Sequence, residues 1–198
     1  MSKILLASGS PRRREILTNL GFEVHTCTTN IDETSQPNES VDDYVKRMAV
    51  EKNQAAQSDS TRHILDVPIL SADTVVALHN QILGKPKDVA DAQRILTALS
   101  GCVHQVLTAV CVSYQEHEYA CIQKNQVQFK SLTQDEIHAY IATGEPMDKA
   151  GAYGIQGLGG VFVANLSGSF TGVMGLPVFE TMQLLQQIGW TTPPFFSS

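Results

Sequence analysis

The run Val67-Pro68-Ile69-Leu70-Ser71-Ala72-Asp73-Thr74-Val75-Val76-Ala77-Leu78 constrains this chain more than any other segment. Apolar residues fall on both parities, so neither face of a strand here is made for water. Such a strand belongs in the middle of a sheet with packed layers on both sides. One residue conflicts with that setting. Asp73 puts a carboxylate inside the run, which is costly unless the group is paired, metal-bound or open to a cleft. It either caps a neighbouring loop by hydrogen bonds or works in a site, and the scarcity of buried carboxylates favours the second reading.

A second informative segment opens the chain. Ile4-Leu5-Leu6-Ala7 reads as a buried strand that stops at Ser8-Gly9-Ser10. A helix is expected next, with Ser10 as N-cap and Pro11 at its first position. The N–H groups of such a helix start favour anions. Ser8 and Ser10 add hydroxyl donors, and Arg12 and Arg13 add forked, permanently charged ones that suit phosphate oxygens. Together these make a polyphosphate site. An ordinary strand-to-helix turn with solvated arginines explains the segment equally well on its own.

The remaining pattern alternates helices and strands. Residues 22–28 read as a strand and 29–40, with Pro37, as a loop. A helix is expected from Val41 to about Ala56 with Ser40 as N-cap. Asn80–Lys87 reads as a loop, and Asp88 caps a helix with a stripe at Ala92, Ile95, Leu96 and Leu99. The β-rich runs 103–114 and 118–130, joined by Gln115-Glu116-His117, predict a long antiparallel hairpin. Thr133-Gln134-Asp135-Glu136 is a capping box for a helix to about Thr143. A glycine-rich segment over 144–160, a strand at 161–165 and a further loop follow. Leu176-Pro177 opens a last helix with Val178, Met182, Leu185 and Ile188 on one face. The expectation is an α/β fold over residues 1–190, with 191–198 a loose tail containing Pro193-Pro194.

Charge and cysteine usage exclude several functions. A net charge of −6 over 198 residues argues against binding nucleic-acid polymers, which need a basic face, but not against a nucleotide. The four cysteines show no two-residue spacing of a zinc or redox motif, and Cys111 and Cys121 read as core thiols. Neither a signal peptide nor a membrane-crossing run is visible, so a cytoplasmic protein is expected.

Other segments carry chemistry only in combination. Gly84-Lys85-Pro86 offers a close approach, a point charge and a stiff exit, but it is not a P-loop. Lys52 lies late in its helix, where most lysines are solvated. Ile31-Asp32-Glu33 is either surface charge or a holder of a hard cation. Asp148 to Gly160 carries five glycines in thirteen residues, interleaved with Tyr153, Ile155 and Gln156. That mixture resembles a ligand-approach loop more than a linker, and the Gln156 amide offers a donor and an acceptor to a base edge.

In order, Ala7-Ser8-Gly9-Ser10-Pro11-Arg12-Arg13, Ile31-Asp32-Glu33, Lys52, Ala72-Asp73-Thr74-Val75, Gly84-Lys85-Pro86 and Leu99-Ser100-Gly101 form a set. Ala150-Gly151-Ala152-Tyr153-Gly154-Ile155-Gln156-Gly157 and Gly175-Leu176-Pro177 complete it. This set resembles the Maf family of nucleoside triphosphate pyrophosphatases, from Lys3 to about Trp190. Ser71, where glycine is common, is a small departure.

The resemblance implies an elongated mixed sheet with flanking helices, in two lobes around a central cleft, often as a homodimer. It implies hydrolysis of a nucleoside triphosphate to monophosphate and diphosphate with a divalent cation, Mg²⁺ or Mn²⁺, with Co²⁺ a further option. It assigns the catalytic base to Asp73 and links Arg12, Thr74 and Gln156 to substrate choice. The Gln156 loop looks like that of the subfamily acting on dTTP and UTP.

Taken with the residue chemistry, Ser8, Arg12, Arg13, Lys52, Thr74, Lys85 and Gln156 are the expected substrate contacts. Glu33 and Asp73 are the expected metal ligands, and the sequence leaves open whether Asp73 is base, ligand or both. Two alternatives stand beside this reading: a nucleotidyltransferase, which needs an acceptor, and a nucleotide-binding regulator without turnover.

Overall fold

A computed structural model of the chain describes residues 2–58 and 66–190. The loose tail expected over 191–198 lies outside the described residues. The chain divides into two compact units. The first draws on the residues up to Asp73, on Thr108–Gln123 and on the chain from Gly175 onward; the second draws on Thr74–Leu107 and Lys124–Met174.

In the first unit, β1 (Lys3–Ala7) runs parallel to β2 (Glu23–Cys27), with Lys3 opposite Glu23 and Ala7 opposite Cys27. Helix α1 (Pro11–Asn19) makes the crossover between them. Helix α2 (Val41–Gln57) precedes β3 (Ile69–Leu78), which pairs parallel with β1 through Leu5–Ile69 and Leu6–Leu70. Its Ser40 cap accepts from the Asp43 N–H as the sequence predicts. Ile69 to Ala72 are all buried, which bears out a strand covered on both faces. Leu5, Ala7, Ala56, Val67 and Ile69 form one apolar cluster beneath it. Helix α6 (Val178–Gln187) buries Met182 and Leu185 as expected, with Ile188 as its C-cap.

The second unit holds β4 (Gln81–Leu83), α3 (Val89–Leu99), α4 (Gln134–Ala142), β7 (Val163–Ser167) and the five-residue α5 (Phe170–Met174). Strands β5 (Val103–Tyr114) and β6 (His117–Phe129) contribute residues to both units. The α3 stripe Ala92, Ile95, Leu96 and Leu99 packs with Val127, Phe129, Ile137, Tyr140, Tyr153 and Phe162 into one core. At the head of α4, both halves of the Thr133–Glu136 capping box are formed. The sheet has seven strands in the order β2-β1-β3-β5-β6-β7, with β4 on β3, and parallel and antiparallel pairs are both present.

Local expectations differ from the structure at five places. Asn80–Lys87 is not all loop, because β4 pairs antiparallel with β3 from Val76–Leu83 to Leu78–Gln81. His79 and Asn80 both adopt positive φ (50° and 63°), the turn that a two-residue hairpin requires. The β5–β6 connection is Gln115-Glu116, not three residues, with Gln115 at φ 53°. The strand expected at 161–165 starts at Val163, because Leu158–Phe162 winds into a 3₁₀ helix. A short helix, α5, occupies the loop expected after it. Ser10 sits at the N-cap of α1 but its side chain makes no cap bond; Ser8 Oγ instead accepts from the Ser10 N–H at 3.2 Å.

Candidate active site

The first unit gathers most of the charged candidates around the end of α2. Lys52 Nζ lies 2.7 Å from Asp73 Oδ1 and 2.7 Å from Glu33 Oε1. Its side chain is 14% exposed and that of Asp73 16%, so this pair is largely shielded; Glu33 is 60% exposed, so its contact is softened by solvent. The carboxylate that conflicts with its apolar strand is therefore paired.

Arg13 stands close to the same group. Its Nε donates to the Gly175 carbonyl at 2.7 Å and its Nη1 to Ser8 Oγ at 3.0 Å. Burial pulls the guanidinium pKa down, Asp73 pushes it up, Arg12 lowers it and Glu33 raises it. Arg13 thus orders the opening loop against Gly175 as well as adding charge. Arg12 is half-buried, with no hydrogen bond or ion pair among the described residues. A cavity of about 490 Å³ opens beside this loop, with Ser8, Gly9, Ser10 and Arg14 on one side and Thr26, Cys27 and Thr28 on the other.

What holds Glu33 in place is not legible in the sequence. Tyr44 Oη donates to the Glu33 carbonyl at 2.9 Å, and Arg47 Nη2 to the Thr34 carbonyl at 3.0 Å. Arg47 also grips Glu39 with Nε and Nη2, at 2.6 and 2.8 Å. That fork holds the Glu39 carboxyl at a pKa of about 2. Asp32, paired with Glu33 in the motif, instead accepts from the Thr34 N–H at 2.9 Å and closes a local turn. The available signal is the Tyr44, Arg47, Glu51 spacing on one face of α2.

Asn53 was also missed by the sequence. It is fully buried, and its amide donates to the Ile69 carbonyl (3.1 Å) and the Cys111 carbonyl (3.2 Å). Its Oδ1 accepts from Ser113 Oγ at 2.6 Å and Gln57 Nε2 at 3.0 Å. Ser71 Oγ donates to the Ala49 carbonyl at 2.6 Å. These bonds lock α2 onto β3, and so set the distance between Lys52 and Asp73.

The second unit carries Thr74, Lys85 and Gln156. Thr74 follows Asp73 on β3 and is half-buried. Lys85 is exposed, with no hydrogen bond or ion pair among the described residues. Its turn is tied to the glycine-rich segment by the Gly151 N–H donating to the Gly84 carbonyl at 3.1 Å. Gly151 has φ +70°, and a Cβ there would fall 2.8 Å from the Val76 side chain, so only glycine permits this approach. Gln156 is exposed at the third position of a turn closed by the Gly157 N–H donating to the Gly154 carbonyl at 3.2 Å.

Glu33 and Asp73 already share one cation, the Lys52 ammonium, and offer hard carboxylate oxygens. That donor pair fits a divalent ion whose other positions are filled by water and phosphate oxygens. No group of three or more His, Cys, Asp or Glu among the described residues is arranged to hold a metal unaided. Among those residues, no helix is long and apolar enough to cross a membrane.

The chain is similar to named proteins over nearly its whole length. It is 57% identical over 189 residues to a dTTP/UTP pyrophosphatase of Pasteurella multocida, covering 93% of this chain and 94% of that one. A nucleoside triphosphate pyrophosphatase of Haemophilus ducreyi is 54% identical over 187 residues, with 94% and 95% covered. The Staphylococcus aureus Ham1 structure overlaps 65% of this chain and 72% of its own at 14% identity and a TM-score of 0.43, too slight a likeness to decide anything. A family model described as Maf-like protein matches residues 3–188, spanning every motif from the Ser8 loop to Leu176-Pro177, and the chain belongs to that family.

Proposed function

We propose that this chain hydrolyses nucleoside triphosphates, dTTP and UTP foremost, to the monophosphate and diphosphate. The observation that carries the reading is the Lys52 ammonium held at 2.7 Å by both Glu33 and Asp73, beside the Ser8–Arg13 loop. The names of relatives at 54% and 57% identity supply the substrate class.

Water is the nucleophile, and the α–β anhydride bond breaks. Asp73 accepts the proton of that water as its oxygen bonds to phosphorus, and the diphosphate leaves with the bonding electron pair. Lys52 lowers the charge between the two carboxylates and the incoming phosphates. Arg12, Arg13 and Ser8 offer donors to phosphate oxygens. Lys85 adds a phosphate contact, Thr74 and Gln156 contribute to substrate choice, and Gln156 reads the base edge. A Mg²⁺ or Mn²⁺ ion bound by Glu33 and Asp73 would neutralise phosphate charge. The reading extends to a cytoplasmic enzyme of the nucleotide pool, working as a homodimer.

The test is diphosphate release from a panel of nucleoside triphosphates with Mg²⁺, Mn²⁺ or Co²⁺. dTTP and UTP are expected well ahead of ATP, GTP and CTP. Absence of release from every nucleotide refutes the reading, and turnover only with an added acceptor would make the protein a nucleotidyltransferase.

A further inference from the structure

The turn that presents Gln156 is held by more than its own Gly157–Gly154 bond. Its first residue, Gly154, donates its N–H to Tyr140 Oη at 3.2 Å. Just past its last residue, the Leu158 N–H donates to Glu145 Oε2 at 2.8 Å and the Gly159 N–H to Glu145 Oε1 at 3.1 Å. The two anchors are joined, since Tyr140 Oη donates to Glu145 Oε1 at 2.9 Å. Both ends of the Gln156 turn therefore hang on one linked carboxylate–phenol pair.

The pair is itself pinned. Tyr140 lies on α4 and is 3% exposed, packed against Phe162 with ring centroids 5.0 Å apart. The Glu145 N–H donates to Thr143 Oγ1 at 3.1 Å, and Lys149 Nζ donates to the Glu145 carbonyl at 2.7 Å. Burial pulls the Glu145 carboxyl upward, but the Gly159 and Leu158 N–H groups and the Tyr140 hydroxyl outweigh it and leave the group below its usual value. It is thus an anion, able to accept all three bonds at once. Gly157 explains itself in the same way: a Cβ there would overlap the Glu145 carboxylate.

We infer that Glu145, through Tyr140, is a positioning residue for base selection: its carboxylate fixes the turn that carries Gln156 without itself touching the nucleotide. The inference rests on the proposed reading that Gln156 reads the base. A single amide discriminates imide from amino-pyrimidine edges only if its orientation is fixed. A loose turn lets it swing to suit either, because the mismatch is what penalises the wrong base.

The experiment compares kcat/KM for dTTP, UTP, CTP and GTP in wild type, Gln156→Ala, Glu145→Gln, Tyr140→Phe and the double variant Glu145→Gln/Gln156→Ala. Glu145→Gln keeps the shape but turns one oxygen into a donor facing an N–H. The dTTP:CTP ratio is expected to fall roughly tenfold or more, with kcat for dTTP at saturation kept within about threefold. Tyr140→Phe should lower the ratio by a smaller factor, and it serves if Glu145→Gln does not fold. The double variant should be no less selective than Gln156→Ala alone, since both changes act through one group. A merely structural role would lower Tm and active fraction for all nucleotides alike and leave the ratio unmoved. If Gln156→Ala flattens the ratio while Glu145→Gln and Tyr140→Phe do not, this inference is overturned and the base reading survives. If Gln156→Ala changes nothing, the base reading fails and the inference falls with it.

Discussion

Asn53→Ala tests whether the lock between α2 and β3 carries stability. In the wild type the amide uses both N–H groups and accepts two further bonds, all inside the first unit. Truncation takes a bond from three buried groups: the Ile69 carbonyl, the Cys111 carbonyl, which keeps only the longer bond from Ser71 Oγ at 3.4 Å, and the Ser113 hydroxyl, which loses its acceptor. Gln57 is less affected, because it keeps Ser113 at 3.1 Å and Glu118 at 3.2 Å. At about 1 kcal/mol for each of these lost bonds, the destabilisation is about 3 kcal/mol. With a urea slope of about 2 kcal/mol/M, the midpoint should fall by about 1.5 M. Trp190 reports on the right unit: it is the only tryptophan, and its ring lies 5.0 Å from that of Tyr114. Its fluorescence in a urea titration is therefore the assay. Asn53→Asp should be worse at neutral pH than Asn53→Ala, since it loses both donors and adds a buried charge. A midpoint shift below about 0.3 M for Asn53→Ala, or an Asp variant as stable as wild type, would refute the reasoning.

Three other outcomes follow from the geometry. Asp73→Asn should lower kcat roughly 10²-fold or more while leaving the Trp190 unfolding curve near wild type; near-normal turnover would remove Asp73 from the chemistry. Lys85→Ala should lower kcat/KM for every nucleotide by a similar factor, on the order of 10-fold or more for a lost charge-assisted contact, and a base-dependent loss would contradict the phosphate role. His104 is buried, with Nε2 2.9 Å from Tyr153 Oη, and burial lowers its pKa from 6.5 to about 4. The unfolded chain takes up that proton first, so stability should fall as pH drops from about 6.5 towards 4. His104→Phe should flatten that part of the stability profile, and an unchanged slope in the variant would show that other groups set it.

Much of the fold was legible because local signals and burial agree. The Ser40, Asp88 and Thr133 caps lie within one turn of the bonds they make, so the sequence places those helix starts without tertiary help. The two-sided apolar pattern likewise gave β3 as an interior strand. The same pattern marked Asp73 as anomalous, and the motif order carried the family.

Tertiary structure decided the rest. That Lys52 bridges Glu33 and Asp73 depends on contacts 19 and 21 positions apart in sequence, and no periodicity encodes them. Arg13 reads locally as a phosphate ligand, yet its Nε is committed to Gly175, 162 residues away. Asn53 looks like any polar residue late in a helix until the Ile69 and Cys111 carbonyls are brought beside it. Glu145 sits in a glycine-rich stretch where a surface charge would pass unnoticed, and only the fold of the loop turns three donors towards it. Caps and strand faces are short-range properties fixed by neighbouring residues. Carboxylates that gather cations and stray N–H groups act across space, and the chain has to fold before those partners exist.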